Sequence, residues 1–260
     1  MMRRTHKTGI AITIALIAAM PEAASACELF HGVRVKMESG SYRATLNDVA
    51  LKDGGVKLSS TNGSVSQSSY EYRLTEWLVP GKNIVKTDYD GTAAEFTIFA
   101  RCKGSYEDDH IVDTVTFTSP SSKQLSFEHL GPLEDTYLKA DIAGDEGLLD
   151  AVEKLQDAAR AGDVEAILHM HGPMIEEFGR RMGSTEGITS YLRSILTSHP
   201  AVVEKALTVT PVMGGRVYQI FGPDGQPPIS VSGKTEDGSF SWPGGVYWAR
   251  FGDEWAVVAN

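Results

Sequence analysis

Hydrophobic positions along this chain of 260 residues change period near residue 140. Before that point apolar and polar residues alternate in short runs, as in Val33-Arg34-Val35-Lys36-Met37 and Val56-Lys57-Leu58, and 111–117 is rich in β-forming residues. Asp53-Gly54-Gly55, Asn62-Gly63 and Asp90-Gly91 punctuate the runs, because Gly and Asn tolerate the positive φ of tight turns. Short strands separated by such turns predict an antiparallel β-sandwich over 27–140. After residue 140 the period becomes helical, with Leu148, Val152, Leu155 and Ala159 at spacings of four, three and four. Asp145 is the expected N-cap of this amphipathic helix and Gly162 its stop. Asp163 is expected to cap a second helix ending near Gly172, Pro173 to open a third piece, and Ser184 to cap a helix carrying Ile188, Tyr191, Leu192 and Ile195. The period then returns to two over 206–212, 216–221, 229–232, 245–251 and 255–258, with Gly252-Asp253-Glu254 as the last hairpin turn.

The fold class is therefore α+β, in two parts: a β-sandwich (27–140) and an α+β domain (141–260), joined by an acidic linker near 130–147 that contains Gly131-Pro132. The segment Leu74-Thr75-Glu76-Trp77-Leu78-Val79-Pro80-Gly81-Lys82-Asn83-Ile84-Val85 resembles the turn into a strand of jelly-roll and immunoglobulin-like accessory domains. In the second part, 148–162 with Asp163-Val164-Glu165-Ala166-Ile167, and the closing Tyr247-Trp248-Ala249-Arg250-Phe251-Gly252-Asp253-Glu254-Trp255-Ala256-Val257, resemble the cone-shaped domains of the nuclear transport factor 2-like superfamily, SnoaL-like proteins included. That resemblance implies helices wrapped on a curved sheet around an apolar pocket. Its members include isomerases, cyclases, dehydratases and binding proteins without chemistry, so function has to be argued from the site.

The first 26 residues read as an export signal. Arg3, Arg4 and Lys7 form a positive start, 9–20 an apolar run of 12 residues, and Ala24-Ser25-Ala26 a small-residue cleavage site. The run is shorter than the roughly 20 residues that span a bilayer, and no later segment approaches that length. A bacterial periplasmic destination follows as the expectation. Cleavage leaves Cys27 at the new terminus and Cys102 as the other thiol in an oxidising compartment, and a disulfide is the expected pairing. The alternative is a lipoprotein anchored through Cys27. Two cysteines cannot build a disulfide-dense scaffold or a four-thiolate zinc site. The formal charge of −10, without a basic run beyond the signal, excludes a nucleic-acid footprint.

Candidate chemistry is sparse. Glu107-Asp108-Asp109-His110 lacks the spacing of a calcium loop and reads as a solvated acidic loop. His169 and His171 lie about 200° apart on a helix and cannot share a metal; Glu165, and Glu176 from the next segment, do not complete a site. Gly233-Lys234-Thr235 lacks the first glycine of a phosphate loop, and neither Gly-x-Ser-x-Gly nor His-Glu-x-x-His occurs. Aromatic density is the remaining signal: eight aromatic residues follow Arg216. Alternation places Trp248 and Arg250 on one sheet face and Tyr247 and Phe251 on the other. The expected ligand pocket is Tyr218, Tyr247, Trp248, Arg250 and His169, with no metal and no cofactor, and Arg250 suited to an anionic ligand.

Three function classes follow. The first is a non-catalytic periplasmic protein that binds a small molecule, an envelope component or a protein. The alternative is a small-molecule enzyme using His169, Asp163, Tyr218 and Arg250 for acid/base work in a cone pocket. The third is an interaction protein, such as an inhibitor or immunity factor for a basic toxin, suggested by the acidity. Oligomeric state is not readable. Intact mass of the exported protein tests the address: the expected result is a terminus at Cys27 and the mass deficit of one disulfide, whereas a lipid adduct selects the anchored form.

Overall fold

The computed structural model describes residues 29–51, 54–56, 68–102, 110–235 and 238–260. Within them the chain is mixed α+β, with four antiparallel sheets and four α-helices. The export segment, Cys27, Asp53, the Asn62-Gly63 turn and the acidic run 107–109 lie outside the described residues.

Nine strands come first: β1 (Leu29–Met37), β2 (Gly40–Leu46), β3 (Val49–Ala50), β4 (Gly54–Val56), β5 (Ser68–Leu74), β6 (Gly81–Tyr89), β7 (Ala94–Cys102), β8 (His110–Phe117) and β9 (Ser121–His129). One sheet has the order β5-β1-β7-β8; the other runs β3-β2-β6-β9, with β4 also on β2. Alternation sends Val33, Val35 and Met37 of β1 inward, opposite the fully buried Phe96 and Ile98 of β7. Leu46, Val85 and Leu125 of the second sheet belong to the same core. Gly54 and Gly55, expected in a turn, pair instead with Tyr42 and Ser41, because ladder hydrogen bonds outweigh the conformational freedom of glycine there. Leu29 stands opposite Cys102 at the end of the β1–β7 ladder.

The helices are α1 (Leu148–Ala161), α2 (Val164–Met170), α3 (Gly172–Met182) and α4 (Thr185–Ser198). Asp163 and Ser184 cap α2 and α4 as expected, accepting from Ala166 N at 3.1 Å and Gly187 N at 2.9 Å. Pro173 occupies the first turn of α3, and Gly162 ends α1 in the left-handed region. Asp145 does not cap α1 with its side chain. The left-handed Gly147 precedes the helix, and Asp145 contributes only its backbone carbonyl to Leu148 N, at 3.0 Å.

Seven further strands complete the chain: β10 (Ala201–Val203), β11 (Thr208–Val212), β12 (Val217–Phe221), β13 (Ile229–Thr235), β14 (Gly238–Gly244), β15 (Tyr247–Phe251) and β16 (Glu254–Ala259). They form sheets ordered β10-β13-β14 and β11-β12-β15-β16. The second of these is covered on both faces. Tyr218, Ile220, Trp248 and Val257 pack with Leu148, Leu155 and Ile195 of the helices. Val212, Val217, Ala249 and Val258 join the core of the β-rich half, where Tyr247 and Phe251 pack against it. The apolar interior thus crosses the sequence boundary at 140.

The connecting segment is stitched down along its length. Arg216 donates to the carbonyls of Leu138 and Ala140, Asp141 N to Arg250 O at 2.8 Å, Tyr218 OH to Ala143 O at 2.6 Å, and Trp255 Nε1 to Glu146 O at 3.0 Å. A second tie comes from two asparagines. Asn83, fully buried, donates to Val79 O and Gly81 O and accepts from Val79 N and Asn47 Nδ2. Asn47 donates to Trp77 O at 2.8 Å, and its own carbonyl accepts from Met213 N at 2.9 Å. Among the described residues no helix is long and apolar enough to cross a membrane.

Asn83→Ala removes the four bonds made by a fully buried side chain, so it is expected to lower stability by about 3 kcal/mol. Urea unfolding with an unchanged slope and a lower midpoint is the expected signature.

Candidate functional site

The Trp77 loop between β5 and β6 reaches the helical half, and a pocket of about 390 Å³ forms where they meet. Trp77 itself has φ 63°, costly for a bulky residue, and the bond from Asn47 to its carbonyl helps hold it there. Its indole stacks on Tyr137 at 5.1 Å between ring centres and meets Tyr247 at 4.7 Å. Facing it are Met174 and Phe178 from α3, Ile188, Tyr191 and Leu192 from α4, Trp242 and Pro243 from β14, and 258–260 at the end of the chain. The floor is apolar because α3 and α4 each turn one face inward at helical spacing, burying Met174 and Leu192. Phe178 and Tyr191 remain about half exposed at the rim.

One corner is ionic. Arg181 donates Nε to Glu177 at 2.6 Å, Nη1 to Glu76 at 2.5 Å and Nη2 to Asp135 at 2.6 Å. Glu177 also accepts from Arg180 at 2.6 Å and from the backbone and hydroxyl of Thr136 at 3.2 and 3.1 Å. Burial alone would raise the Glu177 carboxyl, but the Arg181 and Thr136 donors outweigh it and hold the pKa below the usual carboxylate range. Burial likewise works against the Arg181 charge, and its carboxylate partners more than offset this, raising its pKa. Tyr137 is pushed up, first by burial and then by the negative charge of Asp135, to which its hydroxyl lies 3.0 Å away. Each of these groups is already committed to another. Arg181 is therefore a clasp between α3 and the β-rich half rather than a poised acid or base.

Behind the pocket wall, His171 joins α2 to α3 with its ring 5.3 Å from that of Trp242. Its Nδ1 donates to Ile167 O at 2.8 Å, and Nε2 has no partner among the described residues. Protonation would create a buried donor without an acceptor, and burial lowers the pKa to about 4.

The five residues expected to line one pocket do not converge. Trp248 is fully buried, its indole donating to Gly245 O at 2.7 Å, and fills core between sheet and helices. Tyr218 is buried against Trp255 and bonded to Ala143. Tyr247 lies on the opposite face and supports the pocket only by packing behind Trp77. His169 and Arg250 do meet, across a separate open groove of about 740 Å³ beside α1 and α3. Glu146, Asp150, Glu176, Asp253 and Glu254 also line it, and Arg250 is occupied by Gly252 O at 2.9 Å and Asp253 at 3.6 Å. Lys154 is the other cation of the lining, and the five carboxylates outnumber it and Arg250. Asp163 caps α2, and Glu165, weighed with His169 as a metal ligand, pairs with Arg193 at 2.8 Å.

The residues that sequence reasoning missed are Glu76, Trp77, Glu177, Arg181 and Trp242. Glu177 and Arg181 are spaced i,i+4 on a helix, a pattern common on solvated surfaces. Trp242 sits in β14, whose Pro243 and serines obscured a strand; the strand lies at a sheet edge, where proline is tolerated. Comparison with known protein families, curated proteins and solved structures finds no match to this chain.

Because the folded pKa of His171 lies below the ordinary 6.5, its contribution to stability is full above pH 6.5 and declines as pH falls toward 4, by about 3 kcal/mol. His31 and His129, also lowered chiefly by burial, act in the same direction. Urea midpoints measured from pH 7 to 4 are expected to fall in the parent protein and to fall less in His171→Gln.

Proposed function

We propose that this is an exported, periplasmic binding protein that holds a small molecule with an apolar body in the pocket beside Trp77 without transforming it. The carrying observation is the chemistry of the lining. Rings and hydrocarbon form the walls, and the few ionic groups are bonded to one another, leaving no acid/base pair directed at an occupant. Such a site gains affinity by excluding water from apolar surface and selects by shape. Trp77, locked between two rings and an asparagine, loses little freedom on binding. The larger groove is a weaker candidate, since its open, ion-lined surface is well solvated.

The architecture supports this reading. Two sheets that share one core are consistent with a β-sandwich in the first half. Four helices laid on one face of an antiparallel sheet are consistent with a cone-like domain of the nuclear transport factor 2-like kind in the second. The pocket differs from the one expected within the cone, because Glu76, Trp77 and Tyr137 from outside the helical half complete its wall. The Cys27–Cys102 disulfide remains part of the proposal through the export reading.

Native mass spectrometry of the exported protein is expected to show a retained small molecule, and Ile188→Trp, which fills the pocket from α4, is expected to lose it while keeping the parent circular dichroism. Retention in that variant places the molecule elsewhere and overturns the assignment.

A further inference from the structure

We propose that the occupant of this pocket is an organic cation: a quaternary or protonated amine that carries a compact apolar group. The inference rests on the pocket being a small-molecule site and adds the charge of the molecule it selects.

The first argument is the aromatic lining. Trp77, Tyr137, Phe178, Tyr191 and Trp242 all contribute to one cavity. An aromatic face carries partial negative charge, and several rings around one space form the cage that recognises alkylated ammonium groups. Trp77 is fixed by its contacts with Tyr137 and Tyr247 and braces the wall, while Phe178 and Tyr191, about half exposed, keep ring surface for an occupant.

The second argument is the charge of the ionic corner. Asp135, Glu76 and Glu177 surround Arg181, and among the described residues Arg180 supplies the other cation bonded to this group. Three carboxylates against two guanidiniums leave one negative charge in surplus, and Glu134, 3.3 Å from Arg180, adds a second. Among the described residues Arg181 is the one cationic side chain on the pocket wall, and all three of its nitrogens already donate to carboxylates. An anionic ligand would face this surplus, with Arg181 already shared among three carboxylates. Glu76 uses Oε1 for Arg181 and is half exposed, which leaves its other oxygen able to attract a cation at the mouth. Inorganic cations fit poorly, because they require a shell of oxygens that rings and methyl groups do not supply. A bulky alkylammonium is weakly hydrated and accepts such walls.

The test compares phenyltrimethylammonium with its neutral isostere tert-butylbenzene by isothermal titration in sodium phosphate, a buffer free of competing amines. The expected result is a preference for the cation of about tenfold. Glu76→Gln is expected to weaken the cation about threefold and to leave the neutral compound unchanged. Equal affinity for the two compounds, or tighter binding of the neutral one, overturns the charge assignment while the apolar site stands. Binding of neither by protein with a parent-like thermal midpoint overturns both readings.

Discussion

The β11-β12-β15-β16 sheet is the constraint on which the rest depends, because each of its faces contributes to a buried core. An antiparallel sheet commonly keeps one face in water, so burying both requires cover on each side. Here the helices supply one cover and the β-rich half the other, and alternation along β15 sorts Trp248 to the first and Ala249 to the second. Trp248 pairs with Val257 across the ladder and Ala249 with Ala256, so the strands agree on which side is which. A slip of one residue would turn Trp248 toward the β-rich half, and both interiors would lose their fit.

Given that layer, the remaining contacts between the halves are fasteners placed around its edge. The Arg181 clasp, the Asn47 bonds to Trp77 and Met213, and the stitched segment before α1 each join elements far apart in sequence. Ionic and amide contacts of this kind contribute less net stability than apolar burial, but they demand particular geometry. They fix how the Trp77 loop meets α3 and α4, and hence the shape of the pocket.

Much of the local structure was legible in the sequence. The helical spacing of Leu148, Val152, Leu155 and Ala159, the caps at Asp163 and Ser184, and the strand at 111–117 each depend on neighbours within a few residues. What escaped depends on distant partners. β9 begins with Ser121-Ser122-Lys123-Gln124, polar and exposed, and becomes a strand because β6 pairs with it along its whole length. The candidate site was illegible for the same reason. Glu76, Glu177 and Trp242 come from three separate regions, and nothing in their own neighbourhoods announces a shared cavity. Aromatic density pointed to β15, yet large rings serve a core as readily as a ligand, and Trp248 went to the core.

The pocket wall is assembled from a loop near residue 77, a segment near 137, two helices and the final residues of the chain. No single element contains it, and it comes into being only when the Trp77 loop, the Tyr137 segment, α3, α4 and β14 have found each other. Whatever occupies it therefore recognises a completed molecule, and adds its binding free energy to the closed arrangement alone. Occupancy is in this sense an inspection of assembly: a chain in which the Trp77 loop has not yet met α3 and α4 has nothing to offer the ligand.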